Sequence, residues 1–172
     1  MGEHPDAILV KRAVSGERAA YGELVRRHSR RVFAVCLGIL ANSHNAEDIA
    51  QQTLLRGFEK IRELKEPAQF GAWITRIAQN LCIDFQRRKK SEELDEGLKN
   101  GKNPERNKYS DLHDALQKLP EEYRLPLVLY YFNGESTATL AEVLNLSPAG
   151  VLTRLSRARA KLREILRCSE GG

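Results

Sequence analysis

The sequence predicts an all-α protein made of two small helical domains joined by a flexible linker. Glycine and aromatic residues are scarce, whereas Arg, Leu, Ala and Glu are common. Apolar residues recur every three or four positions, the spacing of one helix face. This pattern stops over residues 89–107, where charged residues, Gly and Asn dominate. The 172 residues therefore divide into domains over 1–90 and 111–172, with the linker over 91–110.

Four helices are predicted for the first domain. A short helix covers residues 6–16, and longer helices cover 18–41 and 45–64. The fourth begins after Pro67 and continues to about Arg88. Because each helix offers only one apolar stripe, we expect all four to bury a common core.

Trp73 and Asp84 of the fourth helix could each lie in the core or contact DNA. Trp73 is in phase with Phe70 and Ile77, so we expect it in the core rather than as a wedge between bases. Asp84 lies toward the apolar stripe. We therefore expect it to have a buried partner, such as a neighbouring Arg, rather than a DNA contact.

The second domain begins with a helix that carries Leu112, Leu116 and Leu119. Pro120 opens the next helix. Its apolar face comprises Leu125, Val128, Leu129 and Phe132. At roughly 60 residues, this domain is near the lower limit for independent stability.

Residues 134–163 have the pattern of a helix-turn-helix. Asn145 suits the turn, and Ser147 and Pro148 suit the N-cap and first residue of the second helix. That helix has a predicted buried stripe of Val151, Leu155, Ala158, Leu162 and Ile165. A helix with an apolar back and a small, basic front fits the DNA major groove. The candidate contacts are Ala149, Gly150, Thr153, Arg154, Arg157, Arg159 and Lys161.

Charge placement supports a polyanionic partner. The net charge is +5, with +6 in residues 1–90 and +5 in residues 147–168. Two basic surfaces in separate halves indicate two contacts with nucleic acid.

Several function classes are excluded by what the sequence lacks. No catalytic Ser/His/Asp set, glycine-rich phosphate loop or metal-ligand spacing is present, so we expect neither an enzyme nor a cofactor. Cys36 and Cys82 lie on apolar helix faces and are expected in the core. With no signal peptide and no membrane-spanning apolar run, we expect a soluble cytoplasmic protein without membrane insertion.

Four stretches occur together in one order: AYGELVRRHSRRVF, AEDIAQQTLLRGFEKI, FGAWITRIAQNLCIDFQRR and LPEEYRLPLVLYYFNGES. With the helix-turn-helix, they resemble the bacterial sigma factors of the extracytoplasmic function group (group IV). The resemblance covers residues 20–90 and 111–166. At this length, we expect neither the amino-terminal region nor the middle domain of housekeeping sigma factors.

The resemblance implies a sigma region 2-like domain that docks on core RNA polymerase and opens the −10 promoter element. It implies a region 4-like domain that holds the −35 element as duplex through the seven recognition-helix candidates. The implied polymerase-docking residues are Asp48, Gln51, Gln52, Leu55 and Arg56. The implied −10 residues are Lys65, Arg76, Gln79, Asn80, Ile83, Arg87 and Arg88. An anti-sigma partner, and a monomer when free of partners, are implied as well.

The recognition helix departs from the family pattern at two positions. Gly150 stands where Thr is common, and Leu152 stands where Lys is common. Leu152 cannot neutralise a phosphate but could touch a thymine methyl group. These changes bear on the −35 sequence preference rather than on the fold.

Two other functions are open at this point. A stand-alone helix-turn-helix regulator would bind duplex DNA unaided, as a dimer on a two-fold site. An adaptor or anti-sigma protein would bind other proteins and not DNA. However, the sequence lacks the ligand cluster of zinc-type anti-sigma factors, and the basic recognition helix would have no role.

Overall fold

The computed structural model describes residues 5–96 and 110–170, and within them the chain forms eight α-helices and no strand. The first half contains α1 (Pro5–Val14), α2 (Arg18–Leu40), α3 (Ser43–Lys60) and α4 (Phe70–Glu96). Two 3₁₀ turns, Ile61–Glu63 and Pro67–Gln69, connect α3 to α4. The second half contains α5 (Ser110–Lys118), α6 (Glu121–Tyr131), α7 (Thr137–Leu144) and α8 (Pro148–Glu170). The all-α, two-domain prediction is confirmed.

The helix boundary that differs most from the prediction is the end of α4. α4 continues to Glu96, so the first six residues of the expected linker are helical. These residues include Glu and Leu, which are good helix formers, and no Gly or Pro occurs before Gly97. Apolar spacing does not detect a helix end that lacks an apolar repeat. Of the rest of the predicted linker, residues 97–109 lie outside the described residues, and Ser110 begins α5.

α2 is the central helix of the first half and contacts α1, α3 and α4. Leu24, Val32 and Val35 are fully buried along it. Cys36 and Cys82 are also fully buried, as predicted. Each outer helix therefore buries its apolar stripe by packing against α2, as amphipathic helices of a bundle do.

The helix-turn-helix is built by local hydrogen bonds. Ser136 Oγ accepts a hydrogen bond from the Thr139 amide at 3.1 Å and begins α7. Asn145 has φ of 51°, the left-handed conformation that the tight turn requires. Ser147 Oγ accepts from the Gly150 amide at 3.1 Å at the start of α8. The predicted turn and N-cap are confirmed.

The buried stripe of α8 has the predicted register. Val151, Leu155 and Ala158 are fully buried, and Leu162 and Ile165 are partly buried.

Two apolar residues of the second half that the sequence predicted on helix faces, Leu112 and Phe132, are exposed by 49% and 42%. Phe132 follows the last residue of α6, and its ring packs against Phe33 of α2, with centroids 5.7 Å apart. It therefore contacts the first half rather than the core of its own domain.

The two halves pack against each other through α2 and α6. Leu125, Val128 and Leu129 of α6 belong to the same continuous apolar core as Val35 and Ile39 of α2. This shared core explains how a second domain of marginal size buries enough apolar surface.

Arg124 of α6 is central to this contact, and it is only 7% exposed. Its Nε donates to Gly38 O at 2.8 Å, and Nη2 donates to Ile39 O at 2.9 Å. Nη1 donates to Leu119 O at 2.7 Å. The first two acceptors lie in the last turn of α2, where a cation is favoured by the helix dipole. Burial lowers the pKa of the Arg124 guanidinium.

Candidate nucleic-acid and polymerase interfaces

The outer face of α3 carries the predicted polymerase-docking residues. Asp48, Gln51, Gln52, Leu55 and Arg56 are all exposed, and Leu55 is exposed by 67%. They are directed outward because the opposite side of α3 is buried through Ala46, Ile49, Ala50 and Thr53. An exposed leucine among amides and charged residues is suited to a protein interface.

A groove separates this face of α3 from α4. The residues that line it are Gln52, Leu55, Arg56 and Glu59 of α3, and Leu81, Asp84, Arg87 and Arg88 of α4. Three docking candidates and two −10 candidates therefore share one surface. Sequence reasoning did not identify Glu59 as part of this groove, because the pairing of the two helix faces has no local signal.

The prediction for Asp84 was half correct. Its partner is a neighbouring arginine, with Arg87 Nη2 donating to Asp84 Oδ1 at 2.8 Å. However, the pair is exposed rather than buried. Asp84 lies at the edge of the apolar stripe, so its short side chain reaches solvent. An exposed pair one turn apart contributes little to stability.

The −10 candidates form a line along α4. Arg76, Asn80, Ile83 and Arg87 recur at spacings of four and three, and all are exposed. Arg88 is also exposed, and Gln79 is half-buried. Such a line combines cations for phosphates, an amide for base edges and an apolar side chain for base faces.

Lys65 and Trp73 lie near the start of this line. Lys65 is exposed between the two 3₁₀ turns. Trp73 is half-buried and packs on Phe70, with ring centroids 5.8 Å apart. Trp73 thus packs against the core, as its phase on the helix predicted.

The recognition helix α8 presents the −35 candidates. Ala149, Thr153, Arg157 and Lys161 are exposed, whereas Gly150, Arg154 and Arg159 are half-buried. A cleft in front of the helix is lined by Gly150, Thr153, Arg154 and Arg157, and by Glu122, Tyr123 and Leu146. The contribution of α6 to this cleft was not expected from the sequence.

Two of the basic residues on α8 also contact tyrosine rings of α6. Arg159 Cζ lies 5.9 Å from the Tyr131 ring centroid, and Lys161 Nζ lies 5.8 Å from that of Tyr123. Such cation–π contacts hold the two cations beside α6.

Sequence reasoning missed two buried polar groups that connect helices. One is Arg124, and the other is Asp6, which contacts Arg27 and His28. Arg124 lies four residues before Val128, so its position on the apolar face of α6 was the available signal. No such signal pairs Asp6 with His28, because the two residues lie on different helices.

Two negative observations hold for residues 5–96 and 110–170. They contain no grouping of three His, Cys, Asp or Glu side chains that could hold a metal ion. Within the same residues, no helix has both the length and the apolar character that crossing a bilayer requires.

Comparison with known families matches both halves. The Sigma-70 region 2 model matches residues 24–92, and the Sigma-70 region 4 model matches residues 109–162. The chain is 34% identical to the ECF RNA polymerase sigma factor SigW of Bacillus subtilis, over 92% of this chain and 95% of that protein. It is 32% identical to SigE of Mycolicibacterium smegmatis, over 88% of this chain and 65% of that protein.

A solved structure agrees with these matches. The structure of CnrH in complex with the cytosolic domain of CnrY superposes with a TM-score of 0.69 at 29% identity. The match covers 95% of this chain and 97% of CnrH. Both halves, their order and their helical architecture are thus accounted for by one family, and the chain belongs to the extracytoplasmic function sigma factors.

Proposed function

We propose that this sigma factor binds core RNA polymerase through the outer face of α3, opens the −10 element along α4, and holds the −35 duplex with α8. The observation that carries the proposal is the groove in which Gln52, Leu55 and Arg56 face Arg87 and Arg88. This groove supports the proposal, because polymerase bound to one wall would lie beside DNA strands bound to the other.

Opening of the −10 element needs a protein that binds unpaired bases better than paired ones, because extruding a base costs a few kcal/mol. Arg76, Asn80 and Arg87 lie in one exposed line on α4, with Lys65 in the loop before it. The cations would follow the backbone of the displaced strand. Asn80 would read the edge of an unstacked base, and Ile83 would contact its face.

The −35 element would remain double-stranded. Thr153 and Arg157 are exposed on the front of α8, where a helix enters the major groove. Gly150 carries no side chain at this front and permits close approach of the helix backbone to DNA. Arg154 borders the same cleft and is suited to a phosphate or a guanine edge.

We extend the proposal to an anti-sigma partner and to a monomer in the absence of partners. The similar CnrH structure is a complex with the cytosolic domain of CnrY. We propose that a protein of comparable role binds this chain in the cytoplasm and limits its access to polymerase.

The test is transcription with the purified full-length chain, core RNA polymerase and a set of promoters. We expect initiation that requires both the chain and core polymerase and that selects particular promoters. Tight binding of the chain alone, as a dimer on a two-fold DNA site, would instead establish a stand-alone regulator.

Two variants separate the proposed DNA roles. We expect Arg157→Ala to weaken −35 duplex binding about tenfold, the effect of losing one good base or phosphate contact. We expect Asn80→Ala to slow opening of paired templates but not of templates with a mismatched −10 region. Arg26→Ala, an exposed arginine paired with Glu23 on α2, is the control. Equal opening of paired templates by Asn80→Ala and wild type would contradict the role of Asn80.

A further inference from the structure

The loop of residues 61–69, which precedes α4, consists of two short 3₁₀ turns joined through Leu64, Lys65 and Glu66. Its internal backbone hydrogen bonds join Leu64 N to Ile61 O at 3.3 Å and Gln69 N to Glu66 O at 2.8 Å. It is anchored by Ile61, which is 4% exposed, and by Phe70 just after it, which is fully buried. The position of the loop therefore depends on the groups that pack around these two anchors.

Helix α1 is one of the elements that pack there. It contacts both 3₁₀ turns of the loop and also α4. Its buried face includes Leu9, Val10 and Ala13, which belong to the same apolar core as Ile61 and Phe70. The match to the region 2 model begins at residue 24, so α1 lies outside the residues that this model covers.

A polar contact connects α1 to the second anchor. Asp6 is only 8% exposed; its Oδ2 accepts a hydrogen bond from His28 Nε2 at 2.7 Å. Its Oδ1 lies 3.2 Å from Arg27 Nη1. A buried carboxylate with these partners fixes the orientation of the His28 ring.

The oriented ring of His28 then packs on the loop anchor. The ring centroids of His28 and Phe70 are 5.2 Å apart and the rings meet edge to face. His28 also lies against Gly71, where an added Cβ would be 3.1 Å from His28 Cε1. The His28 ring therefore limits the space available at Phe70 and Gly71, the first two residues of α4.

We infer that α1 positions the loop of residues 61–69 through the Asp6–His28–Phe70 contacts, and thereby sets how strictly the −10 element is read. Asp6 and His28 are positioning residues that do not touch DNA. The inference rests on the proposed function, because it assigns the loop to the −10 site. Without the Asp6–His28–Phe70 contacts, Lys65 and the start of α4 are still present but are held less precisely. This reduces discrimination between −10 sequences more than it reduces affinity for promoter DNA.

The experiment uses the full-length chain with core polymerase, and promoters that differ only in the −10 sequence. We expect Asp6→Ala to reduce discrimination between the preferred −10 element and single-base variants about three- to tenfold. Duplex −35 binding and affinity for core polymerase should stay at the wild-type level. The control is Glu17→Ala, which removes an exposed carboxylate paired with Arg12 and leaves His28 untouched.

His28→Gln is the second variant, since it keeps a donor for Asp6 but removes the ring from Phe70. We expect the same loss of discrimination. Amide hydrogen exchange provides a readout that needs no DNA, and residues 61–71 should exchange faster in both variants than in Glu17→Ala.

Folded variants with wild-type discrimination and wild-type exchange would overturn the inference. Loss of the helical circular dichroism signal in both variants would also overturn it, in favour of a purely structural role. Absence of core-dependent initiation by the wild-type chain would contradict the proposed function itself, and the exchange measurement would still test the positioning by α1.

Discussion

Cys36 of α2 and Cys82 of α4 lie close together in the core of the first half. Both are fully buried, whereas Cys168 near the end of α8 is exposed. A hydrogen bond with the Cys36 thiol, together with burial, raises the pKa of the Cys82 thiol. Since the thiolate is the reactive form, Cys82 should be inert at neutral pH.

Alkylation should distinguish the exposed cysteine from the two buried ones. We expect iodoacetamide to modify Cys168 within minutes in the native protein at pH 7.5, and to modify Cys36 and Cys82 only after unfolding in urea. Peptide mass spectrometry of the quenched reaction distinguishes the three sites. Rapid labelling of Cys82 in the folded chain would show that this part of the core is open to solvent.

At the scale of the elements, the approach of α3 to α4 depends on Gly57. A Cβ at this position would lie 2.5 Å from Ile74 Cδ1 and 2.7 Å from Tyr21 Oη. The Tyr21 hydroxyl donates a hydrogen bond to Leu54 O in α3, so it cannot move without losing that bond. Burial raises the pKa of Tyr21, which keeps the hydroxyl protonated as a donor.

We expect Gly57→Ala to destabilise the chain by about 1–3 kcal/mol, the usual cost of overpacking a core. Gly22→Ala, in the exposed part of α2 with no atom within 4 Å of the added Cβ, should stabilise it by about 0.5–1 kcal/mol. Urea unfolding followed by circular dichroism measures both. A stabilising Gly57→Ala would mean that α3 and α4 are farther apart than described. The groove between them would then be wider.

At the scale of the whole molecule, the two halves meet where α6 crosses the end of α2. An added Cβ on Gly38 would lie 2.6 Å from Leu125 Cδ1 and 2.9 Å from Leu125 Cα. The second contact is with backbone, so no change of side-chain rotamer can relieve it. Arg124 binds the carbonyls of Gly38 and Ile39 at the same place.

We therefore expect Gly38→Ala to move α6 away from α2 and to weaken the Arg124 hydrogen bonds. The radius of gyration from small-angle X-ray scattering should increase, and amides of α6 should exchange faster. Gly22→Ala on the same helix is the matched control and should leave both unchanged. Identical scattering and exchange for Gly38→Ala and wild type would contradict the close packing of the two halves.

The sequence by itself determined the features that depend on nearby residues. Apolar spacing predicted the existence and order of all eight helices. For the first four helices, the predicted ends lie within a few residues of the observed ones, except the end of α4. Apolar spacing also predicted the outer sides of α3, α4 and α8, which carry all the DNA and polymerase candidates except Lys65. Caps and turns such as Asn145 and Ser147 were predicted because their hydrogen bonds join residues at most four positions apart.

Only the tertiary structure decided the contacts between distant residues. Arg124 binds a carbonyl 86 positions away, and Asp6 binds a ring 22 positions away. The groove shared by α3 and α4 and the packing of Phe132 on Phe33 belong to the same class. Periodicity states which face of a helix is buried, but the partner of that face is set by how the helices pack together.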